Sequence, residues 1–400
     1  MDNMPKNMFL EFKLIILYYL YFSFFLTVFL INRKSLGVQY FFNLTDIVLL
    51  ISGCLFLKKD SENKWNLVIL IAIILFSFLS ILKGTHINTP ILYLKIYLIF
   101  IFFKLYSFTV YEIINFLNKT YFVYTIISLI VYHTVPTLFY SLADHELNYV
   151  DLGFTKYLVF HSIEGGASTI DSYSALIFLS NIFLIKDKNK KHYFFIFLSL
   201  LMIIYSLKMT PLVGLIAGVL TYYLIRNKYS SLIYLLFILT AFIIALNLLF
   251  INPKVYGPIR FSSVMYVVTH ARSMIWVQQL EILVKTYTLK DYFFGNFTSE
   301  LFSVKAYQLG GFEKNVYYDN PHNTYLLLFF KAPLLFIIYY MKYLNLIFKQ
   351  FNRRTFVIIS FIGIACLSNS SLISLGNPVY LIILAFLLTH QEFKINNSAL

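Results

Sequence analysis

From Leu14 to Ile31 the chain runs eighteen residues without a charged side chain, and comparable apolar stretches recur along most of its length. Roughly 18 or more apolar residues in a row cross a bilayer as a helix. Within the hydrocarbon each backbone N–H and C=O must find its partner inside the segment, which leaves the helix as the local structure. Spans are expected at about 14–32, 40–57, 65–82, 91–108, 121–140, 169–185, 194–207, 211–225, 232–250, 324–340, 355–368 and 378–390. The expected fold class is all-α: a polytopic integral membrane protein of about twelve transmembrane helices, forming a single membrane unit over residues 1–400. Composition agrees, because 60% of the residues are hydrophobic and only 12% charged, too little charge to cover a soluble surface of this size. The 33 Tyr and 43 Phe suit a chain that repeatedly crosses the membrane–water boundary.

The net charge of +14 would suggest nucleic acid in a soluble protein. Here it reads as loops held at the cytoplasmic surface, with no nucleic-acid partner. With the N-terminus inside, the inside loops carry fourteen Lys and Arg and the short outside loops five, so both termini are expected in the cytoplasm of a multi-pass inner-membrane protein. The first apolar run is too long for a signal-peptide core and lacks a small-residue cleavage site, so it reads as the first span.

Two outside segments then stand apart, 141–168 and 251–323. The second, at 73 residues, is unusually long, and long loops in compact proteins are usually functional. Within it Ile275, Trp276, Leu280, Leu283 and Val284 recur at helical spacing, which predicts short helices in the loop, one of them lying along the membrane surface. Lys95 and Lys104 fall in the fourth span and Lys331 in the tenth. Charges within spans are costly; Lys95 and Lys331 lie near span ends, where snorkelling is open to them, and Lys104 has Asp46 or Asp171 as candidate partners.

Soluble catalytic motifs are absent. There is no P-loop, G-x-G-x-x-G, H-E-x-x-H, C-x-x-C or D-x-D triplet, and the two cysteines, Cys54 and Cys366, both sit inside apolar runs. A disulfide framework, a zinc cluster and a resident cofactor are therefore not expected. Asp144-His145-Glu146 is the nearest approach to a metal site and reads as a solvated loop.

The densest constellation of reactive types surrounds the long loop. It comprises His270-Ala271-Arg272-Ser273-Met274-Ile275-Trp276, then Asp291-Tyr292-Phe293-Phe294-Gly295-Asn296, and then Tyr318-Asp319-Asn320-Pro321-His322-Asn323-Thr324-Tyr325-Leu326 at the start of a span. Arginine and tryptophan four residues apart, a bulky–glycine pair and P-H-N-x-Y-L at a helix mouth resemble the bacterial O-antigen polymerase (Wzy) family, which belongs with the O-antigen ligases in one superfamily. Ser206-Leu207-Lys208-Met209-Thr210, between two short spans, resembles the family's small residue followed by a periplasm-facing cation. The chain departs from the pattern at Lys208, where arginine is commoner. It departs again at Lys331-Ala332-Pro333, where a glycine usually follows the His-Asn pair by about ten residues.

The resemblance implies transfer of an undecaprenyl-diphosphate-linked glycan onto the terminal sugar of another lipid-linked repeat, on the periplasmic side. It also implies a flippase and a chain-length regulator as partners, and no metal. A departing diphosphate develops negative charge that fixed cations can stabilise. Arginine grips phosphate oxygens with two N–H groups at once and lysine acts as a point charge. Arg272 and Lys208 are the expected clamps, and Arg260 is a third, substrate-binding cation. An attacking hydroxyl benefits from a general base, most often histidine; His322 fits that role, with Asp319 placed to orient it. Asn323 and His161 complete the expected substrate-binding set. Structural readings stay open at this point: Arg272 as a snorkelling side chain, Lys208 as a helix C-terminal cation, His322 as a plain helix start. A ligase that moves finished glycan to a lipid A core is the first alternative, and a lipid-linked oligosaccharide flippase the second, although a flippase usually shows repeats and short loops.

Overall fold

The computed structural model describes residues 6–29, 45–52, 88–134, 149–151, 156–158, 167–206, 209–225, 230, 272–295, 301–306, 316–318, 323–349, 352–368 and 379–389. The expected spans at 65–82 and 232–250 lie outside these residues. The helices are α1 (Lys6–Phe29), α2 (Asn88–Leu105), α3 (Val110–Thr134), α4 (Ala167–Phe183), α5 (Lys190–Ser206), α6 (Met209–Leu224), α7 (Arg272–Thr286), α8 (Leu289–Phe294), α9 (Thr324–Lys331), α10 (Pro333–Lys349), α11 (Arg353–Ser368) and α12 (Val379–Thr389). Residues 45–52 are also helical. The all-α expectation holds, with two small additions inside the loops. β1 (Tyr149–Asp151) pairs antiparallel with β2 (Lys156–Leu158), and β3 (Val304–Ala306) with β4 (Val316–Tyr318).

Among the described residues one helix, Val110–Thr134, is both long and apolar enough to cross a membrane, and shorter apolar helices run over Ile170–Phe183, Gly214–Leu224, Pro333–Ile347 and Val379–Thr389. α4 is the hub, packing against α3, α5, α6 and α11. Its seam with α3 is polar. Thr120 and Tyr173 share a hydrogen bond of 2.6 Å, Tyr121 and Ser174 one of 2.8 Å, and the Asn118 and Asn181 amides pair reciprocally at 3.1 and 2.8 Å. His192 of α5 joins them, its Nδ1 lying 3.0 Å from Asn181 Oδ1.

α6 packs closely on α11. Gly214 and Gly218 lie one turn apart on the contact face, so the backbones approach closely, as small residues at this spacing allow. A Cβ at Gly218 would sit 3.2 Å from the Val357 carbonyl oxygen, and one at Gly214 3.2 Å from the Phe361 ring. Gly218→Leu should therefore force the pair apart and cost about 2–3 kcal/mol as overpacking; a thermal-unfolding midpoint unchanged from wild type would contradict this contact.

Two sequence expectations need correction. The span expected over 324–340 is two helices, α9 and α10, broken at Ala332 with φ −161° and ψ 83°. Pro333 is the cause. It has no N–H to continue α9, and its ring pushes the preceding residue into extended geometry, yet it sits comfortably as the first residue of α10. The second concerns the lysines of α2. Lys104 is exposed, and Asp46 is engaged by the other lysine of the helix. Lys95, expected to snorkel, is instead 3% exposed and ion-paired with Asp46 at 2.5 Å, and Ser23 of α1 donates to the same carboxylate at 2.7 Å. One buried charge pair thus joins α1, the 45–52 helix and α2.

Candidate functional site

The three quoted segments of the long loop and its return meet in one packed unit built on α9, and one of them touches the break between α9 and α10. α7 begins at Arg272 and carries an apolar stripe in which Ile275, Trp276 and Leu283 are buried, whereas Val284 faces outward. Trp276, Leu283 and Tyr287 share a cluster with Phe302, Leu326 and Phe330, so the loop helix and α9 are parts of one packed unit. Phe302 stacks on Phe330 with ring centroids 4.9 Å apart.

Polar contacts fix this unit in register. A helix leaves its last carbonyls without intrahelical donors, and the break in front of Pro333 creates such an end at α9. The Phe330 carbonyl accepts from the Tyr287 hydroxyl at 2.6 Å; the Leu328 carbonyl keeps the Ala332 N–H at 3.1 Å and accepts in addition from the Tyr93 hydroxyl of α2 at 2.9 Å. The turn between α7 and α8 is held by Asp291, whose carboxylate accepts from the Thr288 N–H at 2.9 Å and the Thr288 hydroxyl at 2.6 Å. α8 then ends at Gly295, with φ 76° and ψ 154°, a region that only glycine occupies readily. Its α-carbon lies directly on the break. A Cβ built there would fall 1.7 Å from the Lys331 carbonyl oxygen. The glycine of the bulky–glycine pair is thus required for two reasons, its dihedrals and the backbone it touches.

At the opposite end of α9, Asn323 is the N-cap, its Oδ1 accepting from the Leu326 N–H at 3.1 Å. Asparagine is among the best residues for that position, because its side chain satisfies a free N–H of the first turn. Asn323 is fully buried, and its Nδ2 has no partner among the described residues. Tyr325, two residues on, donates to the Gly363 carbonyl of α11 at 3.1 Å. Arg272 heads α7, where the helix dipole already presents its positive end.

Of the residues expected to carry chemistry, Arg272 and Asn323 therefore stand at the N-termini of two helices that share one apolar cluster. His322, Lys208, Arg260, Asp319 and His161 lie outside the described residues. Sequence reasoning missed Gln279 of α7. It is fully buried and donates from Nε2 to the Phe302 carbonyl at 2.9 Å, and its Oε1 has no partner among the described residues. The signal was present: Gln279 falls in the apolar stripe between Trp276 and Leu283, where a polar residue is out of place. Among the described residues no group of three or more His, Cys, Asp or Glu is placed to hold a metal. No family model matches the chain, and no curated protein or solved structure shows significant similarity to it.

Proposed function

We propose that the protein is a multi-pass membrane glycosyltransferase that polymerises undecaprenyl-diphosphate-linked oligosaccharide repeats into O-antigen or a related surface polysaccharide. In this reading it has about twelve spans, both termini are cytoplasmic, and 141–168 and 251–323 are periplasmic. The pattern of α5 supports the membrane placement. Its inward face carries His192, Ser199 and Ser206 beside Met202 and Ile203, whereas Phe197 is 65% and Ile204 63% exposed. Large apolar residues outside with polar ones kept inside is an arrangement suited to lipid rather than water.

The observation that carries the functional reading is that the three segments share one packed unit, Trp276 and Leu326 in one apolar cluster with Tyr292 against it and Gly295 on the break after α9, so that Arg272 and Asn323 head helices of the same unit. The acceptor hydroxyl attacks the anomeric carbon of the donor glycan, its proton passes to His322, and the bond from that carbon to the diphosphate oxygen breaks. Arg272 and Lys208 stabilise the charge on the departing diphosphate, with Arg260 beside them and Asp319 orienting the base. A buried amide donor without a partner costs about 1–3 kcal/mol. Asn323 Nδ2 recovers that when a substrate oxygen accepts from it, and Arg272 at the head of α7 draws the diphosphate to the same unit.

The test is a surface-glycan gel from a strain lacking this gene, complemented with wild type or Arg272→Ala at matched membrane expression. Wild type should restore a long ladder. Arg272→Ala should cut polymer by about a hundredfold, the typical loss when one preorganised donor to a developing oxyanion is removed. Long lipid-linked polymer that never reaches the core would mean a ligase, and single repeats trapped on the cytoplasmic face a flippase.

A further inference from the structure

α3 and α5 both pack against α4 and run side by side in one direction. The Phe122 and Phe194 rings lie 6.2 Å apart, and the Tyr205 hydroxyl lies 3.3 Å from His133 Nε2, each pair 72 positions apart in the chain. Phe122 and Phe194 are both exposed, so their contact joins the outer faces of the two helices. From that contact an apolar stripe continues on each helix, through Ile126 and Ile130 on α3 and through Phe197, Leu201 and Ile204 on α5, all exposed. Both helices are uninterrupted over these residues.

On the other side of the ring pair the surface turns basic. Lys119 precedes Phe122 by three residues, and Lys190 and Lys191 precede Phe194 by four and three. Residues at these spacings share a helix face one turn apart, so two helices bring three ammonium groups to the same end of the paired rings. All three lysines are exposed, and none has a hydrogen bond or ion pair among the described residues. Little opposes their charge. Glu112, the one acid of α3, is held by Lys13 at 3.0 Å, and Asp187, the one acid of the α4–α5 turn, stands between Lys186 and Lys188 in the chain. α5 contains no acid, and its N-terminus adds the positive end of a 17-residue helix.

An anion is drawn to these lysines, and what carries the anion has to match the stripes that follow them. A water-soluble anion or an acidic peptide leaves the exposed rings and aliphatic side chains uncovered. A phospholipid covers both parts, because basic clusters beside a membrane helix attract anionic headgroups while the acyl chain lies against apolar side chains.

We infer that the joined outer face of α3 and α5 binds an anionic phospholipid, its phosphate on Lys119, Lys190 and Lys191 and an acyl chain against Phe122, Phe194 and the stripes beyond them. The lysine bias that sets the termini places this lipid in the cytoplasmic leaflet. The inference rests on the membrane placement proposed above and is independent of the polymerase reading.

The test is native mass spectrometry of the purified full-length protein in detergent, offered equimolar dioleoylphosphatidylglycerol and dioleoylphosphatidylcholine. Phosphatidylglycerol should be retained about tenfold over phosphatidylcholine, the order that one or two lysines at a lipid headgroup supply. Lys119→Gln, Lys190→Gln and Lys191→Gln combined should abolish that preference. The control combination of Lys104→Gln, Lys285→Gln and Lys342→Gln removes as much charge from lysines exposed elsewhere and should leave it intact. Equal retention of the two phospholipids by wild type, or the same loss of preference in both combinations, would overturn the inference and leave the membrane placement standing. Retention of neither phospholipid would count against both. Displacement of phosphatidylglycerol by excess inorganic phosphate would mean a site for the free anion and would also overturn the inference. The wild-type competition decides the matter even if a variant fails to fold.

Discussion

Gly295→Ala should uncouple the loop helices from the helix bundle and abolish activity while leaving the protein in the membrane. The new methyl carbon has nowhere to go, since its ideal position is 1.7 Å from a backbone oxygen and 2.7 Å from the carbon of the same carbonyl of Lys331. That carbonyl belongs to the last turn of α9, where movement would also break the Tyr287 bond to Phe330 and the stacking of Phe302 on Phe330. The dihedrals add a second cost, because φ 76° with ψ 154° is strained for any side chain by about 1–3 kcal/mol. Overpacking adds about 1–3 kcal/mol more. The sum exceeds what a small surface unit can lose and stay docked. Limited proteolysis should cut the 251–323 segment faster in Gly295→Ala than in wild type, with total membrane-bound protein unchanged. Identical cleavage kinetics would show that the glycine is not the contact described.

The second large effect concerns the buried charges. Asp46→Asn leaves Lys95 with its charge but without its counter-ion, in a place where both partners are almost wholly buried. Breaking a buried pair from one side costs about 3–5 kcal/mol, whereas replacing both members with apolar residues of similar size is often neutral. Asp46→Asn should therefore lower the thermal midpoint severely or prevent accumulation in the membrane. Asp46→Leu combined with Lys95→Met should recover most of the loss. If the double variant falls as far as the single one and also loses activity at normal abundance, the pair has a role beyond holding α1, the 45–52 helix and α2 together.

Sequence pattern carried the helical character of the chain, because length and apolarity are local properties that one window reports. It also carried the start of α9, expected at 324 from the apolar run, whereas Asn323, expected to bind substrate, is the N-cap of that helix. The break at Ala332 was readable from Pro333, but the apolar run on both sides outweighed one residue when the span was drawn as continuous. Lys95 and Asp46 were beyond reach, being 49 positions apart, and nothing local distinguishes a lysine that pairs inside from one that snorkels. Gly295 was singled out beside Phe294, but what it touches is Lys331, within the very triplet, Lys331-Ala332-Pro333, where the chain departs from the family pattern. Gln279 needed only a closer look at the stripe of α7.

The central claim is polymerisation, and the most direct measurement is reconstitution. Purified protein in liposomes is given a single undecaprenyl-diphosphate-linked repeat unit, with chelator present and no nucleotide sugar, and the lipid-linked products are resolved by length. The expected result is a ladder of two, three and more repeats on the lipid, absent with Arg272→Ala and with His322→Ala. If well-folded wild type leaves only single repeats, whether they stay in place or appear on the other face of the bilayer, the protein is not a polymerase.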